Sequence, residues 1–138
     1  MDKIEEILRR SKVVAVVGAS ADPTKPANSV PRSLKEAGYR IIPVNPKGGE
    51  ILGEQVYERL ADIPEPVDVV DVFRPPREAP EVARQAVAIG AKTFWLQLGL
   101  VSAEARKIAE EGGLDYIEDA CMAIEIHKYG ITKSTGPS

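Results

Sequence analysis

The feature that most constrains the fold of this chain is a regular alternation of short apolar runs with longer amphipathic segments. Five runs rich in β-branched or aromatic residues predict strands, at 12–17, 39–44, 67–73, 92–96 and 114–117. Segments with apolar residues at helical spacing separate most of these runs. Strands that alternate with helices in this way are joined by right-handed crossovers and form a parallel sheet.

The runs are continuous apolar stretches, as expected for strands that helices cover on both faces. The sequence therefore predicts an α/β fold in three layers, a Rossmann-like, doubly wound sheet of five parallel strands in the order 3-2-1-4-5. A length of 138 residues fits one domain, 1–138. In such sheets ligands bind beyond the carboxyl ends of the strands, where the strand order reverses.

Capping residues, prolines and glycines place the predicted helices. The first ten residues form an amphipathic helix, and further helices are predicted at 28–37, 80–89, 102–111 and 121–128. Ser29 is the expected N-cap of the helix at 28–37, and Pro31 is expected in its first turn. Residues 50–66 are ambiguous, with a short extended piece before a helical turn. The segment 130–138 is interpreted as a frayed tail.

Composition argues against several classes of partner. The formal net charge is −3 and no basic patch interleaves with aromatic residues, so we expect no nucleic-acid partner. No apolar run approaches the roughly 20 residues that a membrane helix needs, and the first residues lack the apolar core of a signal peptide. The one cysteine, Cys121, cannot form an internal disulfide. We expect a soluble, cytoplasmic protein with no membrane partner.

The loop after the first predicted strand carries the first candidate binding residues. Gly18 allows a tight turn there, and the small residues Ala19 and Ser20 leave backbone N–H groups open to an anion. Ser20 adds a hydroxyl, Lys25 adds a positive charge, and the following helix presents its positive end. A phosphate site and an ordinary strand-to-helix turn are the two interpretations of this pattern.

The second strand end distinguishes between nucleotides. A dinucleotide site needs Gly-x-Gly-x-x-Gly at the first turn and an acid after the second strand, which binds the ribose diol. Only the first glycine is present, and no acid occurs between Arg40 and Gly49. The charged residue in the segment Asn45-Pro46-Lys47 is a lysine, which suits a phosphorylated adenosine better than the diol of NAD. A solvated loop lysine is the alternative interpretation.

Two more strand ends carry polar or aromatic residues. Phe73, Arg74 and Pro75 follow the third predicted strand. Arg74 suits a bidentate phosphate contact or an ion pair with Glu78, and Phe73 either stacks on a ligand ring or packs in the core. Gln97 follows the fourth strand and forms hydrogen bonds either to a ligand or to its own loop.

No set of residues predicts catalysis. Cys121 has no base beside it in sequence and is interpreted as a small buried cysteine. His127 is the only histidine, which excludes a histidine-rich metal site. Asp68 and Asp71 are expected to cap or edge the third strand, away from the ligand end of the sheet. The sequence therefore predicts no catalytic residue and no metal ligand.

Several segments between Lys12 and His127 carry a resemblance, namely VVGASADPTKPANSV, PVNP, EILG, DVFR, WLQLG and DACMAIE. Together they resemble the small single-domain CoA-binding protein family, which is similar to the CoA-binding domain of the succinyl-CoA synthetase alpha subunit. The resemblance implies a Rossmann-like, nucleotide-binding fold that holds coenzyme A or an acyl-CoA across the strand ends. The contacts that it implies are Gly18, Ala19, Ser20 and Lys25 at the phosphates, Val44, Asn45, Pro46 and Lys47 at the adenosine, Phe73, Arg74 and Pro75 on the opposite wall, and Gln97 and Gly99 near the pantetheine.

The chain departs from the family pattern at two places. The family's last motif usually contains Asp-Arg-Cys and ends in Glu-His, whereas here it contains Asp119-Ala120-Cys121 and Ile126 separates Glu125 from His127. The second domain of the synthetase has no counterpart, so its ligase chemistry is not implied. The leading hypothesis is a CoA-binding module without catalytic residues. The alternatives are an acyl-CoA ligase component that needs a partner chain, and an NAD(P)-dependent oxidoreductase.

Overall fold

A five-stranded parallel sheet is the centre of the computed structural model, which describes residues 2–133. In chain order the strands are β1 (Val13–Val17), β2 (Arg40–Val44), β3 (Glu50–Ile51), β4 (Glu54–Gln55), β5 (Val69–Val72), β6 (Thr93–Leu96) and β7 (Asp115–Ile117). The main sheet has the order β2-β1-β5-β6-β7, and β3 and β4 form a separate antiparallel hairpin. The predicted α/β fold, with a doubly wound parallel sheet, is confirmed.

The segment at Tyr57 lies beside β2, at the edge of the sheet, and forms a single parallel bridge with Val44 rather than a full strand. When this segment is counted as position 3, the order Tyr57 segment, β2, β1, β5, β6 follows the 3-2-1-4-5 pattern. The run at 67–73, predicted to lie there, forms β5 and pairs with β1 on its other side. The reason is that the chain returns through the β3–β4 hairpin and fills the edge of β2 before it reaches β5. The order therefore reverses between β1 and β5.

Helices cover both faces of the sheet, as predicted for three layers. They are α1 (Lys3–Arg10), α2 (Pro26–Glu36), α3 (Ala79–Ala88), α4 (Ala103–Glu111) and α5 (Met122–Lys128), with 3-10 turns at Leu60–Asp62 and Pro76–Glu78. Between residues 2 and 133, no helix is both long enough and apolar enough to cross a bilayer. Apolar residues of α1, α2 and α5 pack on one face of the sheet, and those of α3 and α4 pack on the other.

The two faces have separate apolar cores because successive strand residues point to opposite sides. In β1, Val14 and Val16 join the core under α1, α2 and α5, whereas Ala15 joins the core under α3 and α4. Trp95 of β6 is fully buried, and its indole N–H donates to the carbonyl of Ala120 at 2.8 Å. This bond holds the start of α5 against the sheet.

α2 begins earlier than predicted, and this difference moves a charged residue to its start. Lys25 occupies the N-cap position instead of Ser29, and Pro26 is the first helical residue. A proline is tolerated at that position, because the N–H group of a first helical residue has no partner within the helix. Pro31 consequently lies in the interior of α2 rather than in its first turn.

The end of the described chain is packed, unlike the frayed tail expected at 130–138. Ile131 is buried, and its N–H group donates to the carbonyl of Ile126 at 3.1 Å. The N–H group of Lys133 donates to the carbonyl of Ala37 at 2.7 Å, which joins this segment to the end of α2. The remainder of the predicted tail, 134–138, lies outside the described residues.

The two acids of the third predicted strand have different environments. One carboxylate oxygen of Asp68 accepts hydrogen bonds from the N–H groups of Lys12 and Val13, at 2.9 and 2.8 Å. Asp68 therefore ties the start of β1 to the start of β5. Asp71 lies within β5 between Val16 and Trp95, is fully buried, and neither of its carboxyl oxygens has a partner among residues 2–133.

Candidate functional site

The carboxyl ends of β1, β2 and β5 border a cleft of about 860 Å³. It lies where the strand order reverses, the position at which open α/β sheets bind ligands. Its volume is within the range of pockets that hold drug-sized ligands. The sequence-predicted residues that line it are Gly18, Ala19, Ser20, Lys25, Val44, Asn45, Pro46, Lys47, Phe73 and Arg74.

Gly18 forms the turn at the end of β1, and both its backbone and its surroundings require glycine. Its φ is +88°, in the left-handed region that side chains disfavour. A Cβ atom there would lie 2.7 Å from Cδ of Arg74 and 3.1 Å from the carbonyl oxygen of Phe73. The missing side chain therefore leaves room for Phe73 and Arg74, directly after β5, to pack against the turn at the end of β1.

The loop between Gly18 and α2 is held by hydrogen bonds to the helix. Pro31 has no N–H group to donate to the carbonyl of Ala27, one turn earlier. The N–H group of Ser20 donates to that carbonyl instead, at 3.1 Å. The buried side chain of Asn28 donates to the carbonyl of Ser20 at 2.8 Å. The interior proline of α2 therefore contributes to the shape of the loop.

Two N–H groups of this loop have no acceptor in the part of the chain that the structure describes. They belong to Ala19 and Ala21, and both residues line the cleft. The hydroxyl of Ser20 accepts a hydrogen bond from the N–H group of Asp22 at 3.0 Å, which leaves the hydroxyl proton available to a ligand. With the amino end of α2 at Lys25, these donors form an environment that suits an anion.

Asn45 joins the loops that follow β1 and β2. Its amide nitrogen donates to the carbonyl of Ala19 at 2.9 Å, and its amide oxygen accepts from the N–H group of Lys47 at 2.8 Å. The amide of Asn45 therefore forms hydrogen bonds to both loops in the wall of the cleft.

The lysine side chains at positions 25 and 47 are exposed and form no ion pair with a carboxylate of residues 2–133.

Acidic residues also line the cleft, and the sequence identified only Glu78 among them, as a possible partner of Arg74. The lining acids are Asp22, Glu50, Glu58 and Glu78, and the lining bases are Lys25, Lys47, Arg59 and Arg74. Hydrogen bonds from Thr24 hold the pKa of Asp22 below its usual value. Glu58 follows the β3–β4 hairpin in the chain, and its carboxylate lies 3.8 Å from the position that a Cβ of Gly48 would occupy. The cleft therefore contains carboxylates near β2, although no acid directly follows that strand.

Arg74 forms the ion pair that was one of its two predicted interpretations. Its Nε and one terminal nitrogen donate to the two carboxylate oxygens of Glu78, at 3.0 and 2.9 Å. These bonds raise the pKa of Arg74 and lower that of Glu78. The residues are neighbours because Pro75 and the following 3-10 turn bring positions 74 and 78 together. Phe73, beside them, is half-buried, packs against the core and also lines the cleft.

Three predicted contact residues, Pro75, Gln97 and Gly99, do not line the cleft. Gln97 is buried, and its side-chain oxygen accepts a hydrogen bond from the N–H group of Met122 at 3.1 Å, at the start of α5. Gly99 turns the chain after β6, and its N–H group donates to Asp119 at 2.7 Å. The structure therefore gives Gln97 and Gly99 partners within the protein.

The residues considered for catalysis are apart from the cleft lining. Cys121 is half-buried at the N-cap of α5, and His127 is exposed on the same helix. Within residues 2–133, no three histidine, cysteine, aspartate or glutamate side chains form a group that could hold a metal ion.

Comparisons with known proteins identify relatives over most of the chain. The family described as CoA binding domain matches residues 12–127. The uncharacterized protein YneT of Bacillus subtilis is 42% identical over 122 residues, which cover 88% of this chain and 90% of YneT. A structure of a hypothetical protein from Pyrococcus horikoshii OT3 superposes with a TM-score of 0.88 at 43% identity, covering 91% of this chain and 88% of that one.

A larger relative matches only in part. Subunit alpha of the ADP-forming acetate–CoA ligase I of Pyrococcus furiosus is 35% identical over 113 residues. The match covers 78% of this chain but 24% of the ligase subunit. This chain thus corresponds to about a quarter of that subunit, and the remainder of the subunit has no match in it.

Proposed function

Because the chain belongs to the CoA-binding domain family, we propose that it binds coenzyme A or an acyl-CoA in the cleft at the carboxyl ends of β1, β2 and β5. The observation that carries this proposal is that several donors without an acceptor or ion pair among residues 2–133 belong to one cleft. The N–H groups of Ala19 and Ala21 and the side chains of Lys25 and Lys47 all belong to its lining. The proposal is for a binding module, and it assigns no chemical step to the chain.

The loop from Gly18 to Lys25 is the proposed site of the diphosphate. Backbone N–H groups at a helix start bind anions because several donors and the positive end of the helix act together. Ala19 and Ala21 supply the N–H groups, Ser20 supplies a hydroxyl proton, and Lys25 supplies a full charge. Glycine at position 18 leaves room beside this loop for the side chain of Arg74, which a Cβ atom would contact.

The part of the cleft that follows β2 is the proposed site of the adenosine. Val44, Ile51 and Leu60 give it a buried apolar wall, which suits a nucleobase. Lys47, whose backbone is oriented by Asn45, is the cation that would meet the 3′-phosphate of the ligand. NAD lacks this phosphate, so the arrangement supports CoA over NAD as the preferred ligand.

The decisive measurement is calorimetric titration of the ligand-stripped protein with CoA, acetyl-CoA, NAD⁺ and NADP⁺ under the same conditions. We expect saturable, micromolar binding of CoA or acetyl-CoA and much weaker binding of NAD⁺. A preference for either dinucleotide, or the absence of CoA binding, would contradict the proposal.

The similarity to a ligase subunit supports a second candidate, in which this module presents CoA to a separate catalytic chain. Purification of the tagged protein from its native cells, with and without CoA, would test this candidate. Recovery of a second chain in a fixed ratio, with CoA-dependent ligase activity in the mixture, is the expected result. Recovery of the module alone at native expression levels would contradict it.

A further inference from the structure

Arg74 has an unusual place in the cleft because its aliphatic part lies over Gly18. Its Cδ and Cγ atoms lie 2.7 and 3.2 Å from the position that a Cβ of Gly18 would occupy. The turn at the end of β1 and the stem of Arg74 are therefore in direct contact. Arg74 therefore lines the same cleft as Ala19 and Ala21, whose N–H groups have no acceptor among residues 2–133.

The guanidinium group is engaged by a carboxylate of the same cleft. Both oxygens of Glu78 accept hydrogen bonds from it, at 3.0 and 2.9 Å. Arginine pairs with carboxylates and with phosphates through the same planar set of donors. A phosphate that binds beside Gly18 and pairs with the same edge of the Arg74 guanidinium group would compete with Glu78 for those donors.

We propose that Glu78 is a built-in competitor for Arg74, and that an anionic ligand enters the cleft by exchanging with the Glu78 carboxylate. This inference rests on the proposed function, since it concerns the same cleft and a phosphate-bearing ligand. In the free protein, Glu78 neutralises Arg74 and holds its side chain over Gly18. In the bound protein, a ligand phosphate takes the guanidinium group and Glu78 turns to solvent.

The exposure of the pair supports an exchange of this kind. The side chains of Arg74 and Glu78 are 46% and 38% exposed, so water reaches both partners. Exposed ion pairs are weak, because water screens the two charges and solvates each partner when the pair is broken. The diphosphate of CoA carries two negative charges where a carboxylate carries one, and it adds contacts to the backbone N–H groups, so it outcompetes Glu78. The pair therefore reduces the affinity of the cleft for weakly charged anions more than its affinity for a phosphorylated ligand.

Glu78 can be changed without loss of a structural bond to α3. It occupies the N-cap position of that helix, but its side chain caps no N–H group there. Glu78→Gln keeps the shape of the side chain and removes its charge. Glu81→Gln is the matched control, because Glu81 pairs with Arg84 at 3.3 Å in the same helix and does not line the cleft.

The test measures CoA and inorganic pyrophosphate affinities by calorimetry for the parent, Glu78→Gln, Glu81→Gln, Arg74→Gln and the double variant Arg74→Gln/Glu78→Gln. We expect Glu78→Gln to bind both probes roughly three- to fivefold more tightly, the size of an exposed ion pair. Glu81→Gln should bind like the parent. The gain from Glu78→Gln should vanish when Arg74 is already glutamine, since non-additivity reports a direct coupling.

Equal affinities of the parent and Glu78→Gln would overturn the inference, as would a gain that persists without Arg74. The latter result would show a general charge effect instead of competition for the guanidinium group. If the parent binds CoA and Glu78→Gln gives no gain, only this inference fails. If the parent binds pyrophosphate but not CoA, the proposed function fails and the pyrophosphate series still decides the role of Glu78. Binding of neither probe contradicts both.

Discussion

Lys47 illustrates how a single side chain would select the ligand. It is exposed in the cleft lining, and its N–H group is held by Asn45. We predict that Lys47→Ala lowers the affinity for CoA roughly tenfold, as expected for the loss of a hydrogen bond to a charged group. The affinity for dephospho-CoA should fall much less. Calorimetric titration with both ligands measures the difference. Lys107→Ala, at an exposed position outside the cleft, is the control. Equal losses for the two ligands would disprove the assignment of Lys47 to the 3′-phosphate.

Asp71 makes the stability of the protein depend on pH. Its complete burial raises the pKa of the carboxyl group well above its usual value, so the folded protein holds it in the neutral form. The unfolded chain ionises at its ordinary pKa. Below that value Asp71 carries no ionisation penalty. Above it, the free energy of unfolding falls by about 1.4 kcal/mol per pH unit, until the pH reaches the raised pKa.

We predict that Asp71→Asn removes this fall, because the amide does not ionise in either state. Urea unfolding of the parent and the variant between pH 4 and 8 measures the effect (roughly the range in which an ordinary carboxyl is ionised). The variant should become progressively more stable than the parent as the pH rises. Parallel profiles would show that Asp71 ionises normally in the folded protein.

At the scale of elements, the interior proline of α2 connects the geometry of that helix to the loop between Gly18 and Lys25. We predict that Pro31→Ala supplies an N–H group that competes with Ser20 for the carbonyl of Ala27. The amide of Ser20 should then exchange with solvent faster, and CoA should bind several-fold more weakly. Hydrogen exchange measured by NMR tests the first effect. Pro80→Ala, in the first turn of α3, is the control because a proline there breaks no helical bond. Unchanged exchange at Ser20 would contradict the coupling.

The elements themselves could be predicted from the sequence because their signals are local. Ser102 shows this well: its hydroxyl caps α4 by accepting from the N–H group of Ala105, as its position before an amphipathic segment indicates. The start of α2 could not be predicted equally well, since Ser29 and Lys25-Pro26 are both acceptable beginnings. The partner of β5 depended on the path of the hairpin, which is a tertiary feature.

The candidate cleft was predictable to a similar degree. Residues directly after a strand, such as Gly18 and Lys47, lie in the cleft because the strand direction carries them there. Glu58 could not be placed from sequence, since its position depends on the return of the hairpin to β2. Gln97 also follows a strand, but its side chain turns towards the start of α5. Packing decides the direction in which such a side chain points, and the order of residues in the sequence does not reveal that packing.

At the scale of the whole molecule, the cleft joins the two halves of the sheet. Its lining includes the ends of β1 and β2 on one side of the reversal and the end of β5 on the other. A ligand that binds only the folded state should stabilise the entire chain. At one hundred times its dissociation constant, CoA should contribute about 2.7 kcal/mol and raise the unfolding midpoint by roughly 10 °C.

Differential scanning calorimetry across a series of CoA concentrations measures this shift. Lys47→Ala should show a smaller shift at the same CoA concentration, because its dissociation constant for CoA is higher. A midpoint that stays constant while CoA saturates the protein would contradict selective binding to the folded state.

The loop between Gly18 and Asn28 is already fixed by hydrogen bonds to the helix and to Asn45. A ligand that reaches it has little chain entropy to remove, and no segment has to fold around the phosphate. We therefore expect the rate of association to be set by diffusion, charge and the proposed exchange at Arg74. In a stopped-flow experiment the protein should capture its ligand in one exponential phase, at a rate that rises linearly with ligand concentration and falls with added salt.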